Sequence, residues 1–141
     1  MMFLLDTNIV SELRKVRAGK ADPNMAAWAE RVDAAELFLS AITVMELELG
    51  VLSLERNDAS QGAILRTWLE QQVLPEFSGR ILPIDSVVAL RCAGLHVPDR
   101  RGERDALIAA TALVHGMTVA TRNIVDFQHT GVPLLNPWDP S

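Results

Sequence analysis

The first ten residues, MMFLLDTNIV, restrict the fold more than any other stretch of the chain. The apolar run FLL ends abruptly at Asp6, and a helical pattern of apolar residues begins directly afterwards. This pattern predicts a buried strand over residues 2–5 that leads into a helix over residues 7–16. The Asp6 carboxylate therefore follows the carboxyl end of a strand, where ligands bind in open α/β sheets. The alternative role for Asp6 is a helix N-cap that accepts backbone N–H bonds.

Short apolar runs alternate with helical patterns along the rest of the chain. Further strands are predicted at residues 37–39, 80–84, 117–121 and 134–135. Two helices that break at Asn57-Asp58 are expected to form a hairpin, and Pro75 is expected to end the second one. Pro83 indicates that its strand lies at an edge of the sheet. The alternation predicts an α/β fold with a parallel sheet that helices cover on both faces.

Composition and charge are those of one ordinary globular domain, residues 1–141, with 49% hydrophobic residues and a net charge of -5. The negative charge argues against a general nucleic-acid binder, although basic residues cluster within residues 14–20 and 100–104. The single cysteine, Cys92, cannot form an intramolecular disulfide, which fits a reducing cytoplasm, and its apolar neighbours predict burial. Neither a secretory signal nor an apolar stretch long enough to span a bilayer is expected.

Four acidic residues occupy junctions between predicted strands and helices: Asp6, Glu46, Asp105 and Asp126. Right-handed crossovers bring the carboxyl ends of parallel strands to one edge of the sheet, so these acids are expected to converge there. Asp85 also follows a strand, but that strand is predicted at the sheet edge, so Asp85 is interpreted as a cap.

Local capping is the competing explanation for each acid. Thr43-x-x-Glu46 has the spacing of a capping box, and Asn123-x-x-Asp126 has the spacing of another local cap. Asp105 is expected to open a helix that is apolar all round and therefore buried, so its carboxylate needs compensation from a cap or a metal ion. Capping does not explain why four acids should converge.

A cluster of carboxylates favours a site for a hard metal ion. Carboxylates at close range repel and raise one another's pKa, and hard oxygen ligands are what Mg²⁺ or Mn²⁺ requires. The three histidines are scattered and predict no zinc site, and the chain has neither GxxxxGK[ST] nor GxGxxG. It also lacks the nucleophile elbow of serine hydrolases.

Four stretches of the chain resemble those of a known family: LLDTNIVSEL, SAITVMELELG, RDALIAATALVHGMTVATRNIVDF and GVPLLNPW. In this order they resemble the PIN domain, in particular the VapC-type toxins of toxin–antitoxin modules, including the FitB-like branch. The resemblance implies a five-stranded parallel sheet with helices on both faces and a Mg²⁺- or Mn²⁺-dependent endoribonuclease. It also implies a homodimer, neutralised by a small VapB-like, DNA-binding antitoxin whose tail enters the active-site groove.

The resemblance also assigns site residues by position. The acidic quartet falls on Asp6, Glu46, Asp105 and Asp126, and the polar helpers fall on Thr7, Asn8, Thr121 and Asn123. Many relatives carry an acid directly after the asparagine of the last turn, whereas this chain has Ile124, so Asp126 holds the fourth position alone. Arg104 and Arg122 are candidates for contacts to RNA phosphates, with plain surface charge as the alternative.

The expected mechanism follows from these ligands. One or two metal ions bind the scissile phosphate and lower the pKa of a bound water, which attacks and leaves 5′-phosphate and 3′-hydroxyl ends. Asp6 and Asp105 are the leading ligands, and Glu46 is either a ligand or the group that positions the water.

Two other functions are alternatives to the metal-dependent endoribonuclease. A catalytically weak PIN module would act mainly through its complex with a DNA-binding antitoxin. A phosphatase with an aspartyl nucleophile is disfavoured, because it needs a second Asp where this chain has Asn8. An antitoxin helix is expected to dock around Trp68 and Leu69, unless these two residues pack inside the helical hairpin.

Overall fold

Five parallel strands form one sheet in the computed structural model, which describes residues 1–140. They are β1 (Phe3–Leu5), β2 (Leu37–Ser40), β3 (Ile81–Leu82), β4 (Thr118–Ala120) and β5 (Leu134–Leu135). Their spatial order is β3-β2-β1-β4-β5. The predicted α/β fold with a five-stranded parallel sheet is confirmed, and β3 lies at an edge, as Pro83 indicates.

Helices connect the strands and cover both faces of the sheet. The longer ones are α1 (Thr7–Arg17), α2 (Pro23–Arg31), α3 (Ala41–Asn57), α4 (Ala59–Trp68), α6 (Ser86–Leu95) and α7 (Glu103–His115), and the short ones are α5 (Leu74–Glu76) and α8 (Ile124–Phe127). A π-helical turn, Leu69–Val73, joins α4 to α5, so the prediction that Pro75 ends this helical segment is wrong. Proline is tolerated in the first turn of α5 because that turn needs no N–H donor from it. Across the described residues, every helix is too short or too polar to cross a membrane.

Alternate side chains of β1 enter two different apolar cores. Phe3 and Leu5 belong to a first core that α1 to α4 complete, and the Phe3 ring meets Trp28 edge-on at 5.5 Å between centroids. Leu4 belongs to a second core with Ile108 of α7 and Phe127 of α8. Each such buried side chain contributes about 1.5–3 kcal/mol to the free energy of unfolding. Burial on both faces explains why the strand is a continuous apolar run.

Helices α3 and α4 form the predicted hairpin. A Cβ at Gly62 would lie 2.5 Å from the Glu55 Cα, so only glycine permits the two helices to approach this closely. Arg66 of α4 pairs with Glu48 at 2.6 Å and with Glu55 at 3.0 Å, which holds the helices together from outside. Trp68 and Leu69 are buried in the first core, which supports internal packing over an exposed docking surface.

The strand order reverses beside β1, with β2 and β3 on one side and β4 and β5 on the other. Such a switch point leaves a crevice at the carboxyl ends of the central strands, and ligands of open α/β sheets bind there. Leu5 is in register with Ala120, and the next N–H, that of Asp6, donates to the Ala120 carbonyl at 2.9 Å. Asp6 and Thr121 therefore lie side by side at the switch point.

Candidate active site

Asp6 is a buried carboxylate that is also the N-cap of α1. Its Oδ1 accepts the Thr7 N–H at 2.8 Å, and its Oδ2 accepts the Thr121 hydroxyl at 2.8 Å and the Asn8 amide at 3.4 Å. Asp6 can therefore be both a helix cap and a site residue. Its Oδ1 caps α1, and its Oδ2 lies beside Thr121 at the switch point. Three of the four predicted polar helpers contact this carboxylate directly.

Glu46 does not belong to a capping box. Helix α3 begins directly after β2, and the Ser40 side chain caps it by accepting the Ile42 N–H at 3.1 Å. Thr43 is therefore already inside the first turn, where its side chain is fully buried. The capping-box prediction is wrong because Ser40, three residues earlier, is an equally good cap that stands at the end of the strand.

The Glu46 carboxylate is instead tied to the loop around Asp6. Its Oε1 accepts a hydrogen bond from the Thr7 hydroxyl at 2.7 Å, and its Oε2 lies 3.6 Å from the Arg104 guanidinium. The side chains of Glu46 and Arg104 are 24% and 52% exposed, so water screens this ion pair. The Thr7 hydroxyl thus orients Glu46, and the Thr7 N–H donates to the neighbouring Asp6 carboxylate.

Asp105 lies in the first turn of α7 and is not its cap. The helix begins at Glu103 with Gly102 as N-cap, so the prediction that Asp105 opens the helix is wrong. Burial raises the pKa of Asp105 to about 6, and repulsion from Asp6, Asp126 and Glu46 adds to this effect. The negative charges of the other three acids destabilise the ionised form of the Asp105 carboxylate.

Asp126 completes the group from the exposed side of α8. Its charge raises the pKa of Asp6 and of Asp105, which shows that it lies within electrostatic reach of both. The predicted local cap is not formed by side chains, since only the Asp126 N–H meets the Asn123 carbonyl, at 3.1 Å. Asn123 contributes its backbone N–H, which donates to the Thr121 hydroxyl at 2.9 Å.

The four acids form one electrostatic unit, named here the acidic cluster: Asp6, Glu46, Asp105 and Asp126. Burial is the main cause that raises the pKa of Asp6, and Glu46 and Asp126 raise it further, while bonds from Thr121 and Thr7 lower it in part. Asp85 stands apart from this unit and caps α6 by accepting the Val88 N–H at 3.0 Å, as predicted. In the described part of the chain, residues 1–140, Arg104 is the only basic residue that forms an ion pair with the acidic cluster.

Two arginines border the acidic cluster. Arg104 precedes Asp105 and pairs with Glu46, whereas the Arg122 N–H donates to Asn8 Oδ1 at 3.3 Å. The Arg122 guanidinium lies over the Trp138 ring, 5.1 Å from its centroid. Sequence reasoning missed Trp138 as a neighbour of the site, and its only signal was a place in the stretch GVPLLNPW.

The donor set of the acidic cluster fits a hard divalent ion. All four side chains offer carboxylate oxygens, and the raised pKa values of Asp6 and Asp105 show that added positive charge would stabilise their ionised forms. Within residues 1–140, no group of three or more His, Cys, Asp or Glu side chains is arranged as a cage that could hold a metal ion. Mg²⁺ needs no such cage, because it keeps several waters and uses one or two carboxylates together with substrate phosphates.

Comparison with known proteins places this chain in a family. The PIN domain family matches residues 3–132. The VapC ribonuclease Y4jK of Sinorhizobium fredii is 37% identical over 145 residues, covering 99% of this chain and 100% of the relative. Toxin FitB of Neisseria gonorrhoeae is 39% identical over 142 residues, covering 97% of this chain and 99% of the relative. The solved structure of FitAB bound to an IR36 DNA fragment superposes with a TM-score of 0.88 at 37% identity, covering 99% of this chain and 98% of the other. The chain belongs to the PIN domain family.

Proposed function

We propose that this protein is the toxin of a toxin–antitoxin pair and that it is an endoribonuclease dependent on Mg²⁺ or Mn²⁺. Membership of the PIN family and relatives named VapC ribonuclease and Toxin FitB support the nuclease and toxin parts. The observation that carries the metal dependence is the acidic cluster, in which the half-buried Asp105 has its pKa raised to about 6 by desolvation and by three other acids. A bound cation removes that repulsion.

Asp6 and Asp105 are proposed as the main ligands of the ion, with Asp126 as a further ligand. When bound, a divalent ion acts as a Lewis acid toward phosphate and lowers the pKa of coordinated water. Thr121, Asn8 and the Thr7 N–H fix the Asp6 carboxylate, so its orientation needs no change on binding. Displacement of the 3′ oxygen by water then leaves a 5′-phosphate and a 3′-hydroxyl.

Glu46 is proposed to accept a proton from the attacking water or to hold that water in line. The Thr7 hydroxyl already occupies Oε1 at 2.7 Å, which leaves Oε2 to face the crevice near Arg104. Arg104 and Arg122 are proposed to contact RNA phosphates, since both are exposed cations at the border of an otherwise negative site.

One assay tests the proposed function. Purified protein without its antitoxin is incubated with transfer, ribosomal and messenger RNA, first with Mg²⁺ and then with EDTA. Cleavage with Mg²⁺ and none with EDTA supports the proposal, and the end groups of the fragments test the chemistry. If all three RNAs stay intact with Mg²⁺ and with Mn²⁺, the weak PIN module that acts through an antitoxin complex becomes the better description.

Divalent metal is expected to raise the melting temperature of the protein, and D6N is expected to remove most of that rise. The metal binds the folded state only, and it removes repulsion within the acidic cluster. The measurement is thermal melting with EDTA and with increasing Mg²⁺. D85N is the matched control, because Asn also caps helices and Asp85 lies outside the acidic cluster. A metal response in D6N equal to that of wild type would reduce Asp6 to a cap.

The partner is a small antitoxin of the VapB type that binds DNA, in keeping with the related FitAB complex solved with a DNA fragment. We propose that an Arg or Lys in its tail enters the crevice and pairs with the acidic cluster in place of the metal, as a guanidinium can do bidentately. A homodimer is proposed as well, because Met45, Leu49 and Leu52 expose one apolar side of α3 that a second copy would cover.

Charge reversal of the basic tail residue is expected to weaken inhibition more than it weakens binding. The tail residue contacts only the acidic cluster, whereas the rest of the antitoxin supplies most of the buried surface. The antitoxin encoded beside this gene is co-purified, and both tails are compared in the RNA assay and by titration calorimetry. Equal inhibition by both tails would refute the cation-in-crevice mechanism even where the complex forms.

A further inference from the structure

The Arg122–Trp138 pair stands directly beside the acidic cluster. Thr121, which precedes Arg122, donates its hydroxyl to Asp6 at 2.8 Å, and the Arg122 N–H donates to Asn8 Oδ1 at 3.3 Å. Asn8 in turn reaches Asp6 through its amide at 3.4 Å. Two short hydrogen-bonded routes therefore fix the Arg122 backbone relative to the proposed metal ligand.

Trp138, which lies under Arg122, is held by its side chain and by its backbone. The indole packs against the first core, the backbone N–H donates to Asn136 Oδ1 at 3.0 Å, and the backbone carbonyl accepts the Asn24 amide at 2.9 Å. The guanidinium then lies over the ring, 5.1 Å from the centroid. A cation over an indole face is attracted to it, which restricts the rotamers of a side chain that is otherwise flexible. The pair is therefore arranged before any ligand arrives.

The Arg122 residue is exposed to solvent. Across residues 1–140 no carboxylate lies within ion-pair distance of it, unlike Arg104, which pairs with Glu46. A planar guanidinium with a free face stacks on a nucleobase, and unpaired RNA is commonly bound in this way. The N–H edges stay free for phosphate oxygens.

We propose that Arg122, which lies over the Trp138 ring, is a stacking platform for the nucleobase next to the scissile phosphate. This inference rests on the proposed function, because it requires RNA in the crevice. It goes beyond a phosphate contact, since a lysine would serve phosphate equally well but cannot stack. It also predicts that the RNA must be unpaired at this nucleotide, because a base within a duplex already stacks on its neighbours.

A second arginine–tryptophan pair in the chain provides a matched control. Arg14 lies over the Trp68 ring at 5.9 Å, in the last turn of α1 and on the surface that Ala63, Ile64 and Thr67 of α4 border. Replacing either arginine by lysine keeps the charge and removes the planar group. Both R14K and R122K lose an arginine–tryptophan contact, so we expect similar effects on folding. Only R122K is expected to change the stacking of RNA.

The experiment measures binding without cleavage, in a D105N background with Mg²⁺, by fluorescence anisotropy. The probes are labelled decamers of adenylate, of uridylate and of abasic ribose phosphate. We expect adenylate to bind about tenfold more tightly than the abasic decamer, in line with the usual strength of base stacking. R122K should reduce the ratio of adenylate to abasic affinity to about twofold, and the salt dependence of RNA binding should stay the same because the charge is kept. R14K should leave the affinity ratio unchanged.

Tryptophan variants supply the second arm. W138F keeps an aromatic face and should retain the preference for adenylate, whereas W138L should lose it, with thermal melting as the check on folding. If W138L does not fold, the anisotropy measurement on R122K tests the proposal by itself. A preference that survives R122K overturns the stacking platform, even where the wild type cleaves RNA. If no decamer binds and the wild type cleaves no RNA, the platform and the proposed function both fail.

Discussion

Replacing Asp105 by asparagine is expected to abolish RNA cleavage and, at the same time, to raise the melting temperature of the metal-free protein. Cleavage should fall at least about a hundredfold, since the charge stabilisation that a metal site supplies is worth several kcal/mol. Stability should rise because the substitution removes a carboxylate that burial and three other acids make costly to ionise. A purely structural residue gives the opposite sign, a loss of stability.

The pH dependence of this gain follows from the raised pKa of Asp105. The folded value of about 6 lies above the ordinary value of 3.8, so between these values the folded state binds more protons than the unfolded state. The contribution of Asp105 to the free energy of unfolding therefore falls as pH rises through this range. Asparagine resembles the protonated acid, so D105N should gain most over wild type above pH 6 and nothing near pH 4. We expect a gain of about 1 kcal/mol, or roughly 3 °C.

Thermal melting in EDTA from pH 4 to 8, together with single-turnover cleavage with Mg²⁺, measures both effects. D85N serves as the control in each, because Asp85 accepts the Val88 N–H as an N-cap and asparagine caps as well. D85N should cleave like wild type and melt within about 1 °C of it. A D105N variant that melts lower than wild type at pH 8 would show that Asp105 stabilises the fold and is not held there for a ligand.

The sheet and the place of Asp6 were predictable from the sequence because both depend on local patterns. A strand buried on both faces has to be a continuous apolar run, and FLL is one. The helix that follows needs an acceptor for its first N–H groups, and Asp6 at the end of the strand supplies one. In the structure, the parallel pairing of β1 with β4 then places Asp6 beside Thr121.

Helix starts were predicted less well, because several residues in a row satisfy the same local rule. Ser40 and Thr43 are both good caps, and the choice of Ser40 depends on where β2 ends. In the same way α7 begins at Glu103, ahead of Asp105. These shifts of two or three residues matter for function, since they free Glu46 and Asp105 from capping.

Contacts between distant residues were beyond the reach of the sequence. The Thr7–Glu46 hydrogen bond joins residues 39 apart, and nothing in either segment indicates the other. The π-helical turn that carries the chain past Pro75 depends on burial of Leu69 and Val73 against the sheet. Trp138 could not be linked to Arg122 for the same reason. The acids and the polar helpers could be named from the sequence, whereas the hydrogen bonds that join them are known only from the fold.

Glutamine at position 46 is expected to leave the fold intact and to reduce RNA cleavage at least about a hundredfold. The amide oxygen of glutamine can still accept the Thr7 hydroxyl, so the link between α1 and α3 survives. The negative charge is lost, and with it the capacity to accept a proton or to support a metal-bound water. Glu46 makes no capping bond, so the free energy of unfolding of E46Q should lie within about 1 kcal/mol of the wild-type value.

E48Q on the same helix should show the reverse pattern. Glu48 accepts from Arg66 at 2.6 Å and faces α4, so its neutral variant should weaken the hairpin slightly and lower the melting temperature. Cleavage by E48Q should equal that of wild type, because this carboxylate does not belong to the acidic cluster. Both variants are compared by thermal melting and by single-turnover cleavage of the same RNA. A folded E46Q that cleaves as fast as E48Q would remove Glu46 from the reaction and leave Asp6, Asp105 and Asp126 as the only acids able to perform it.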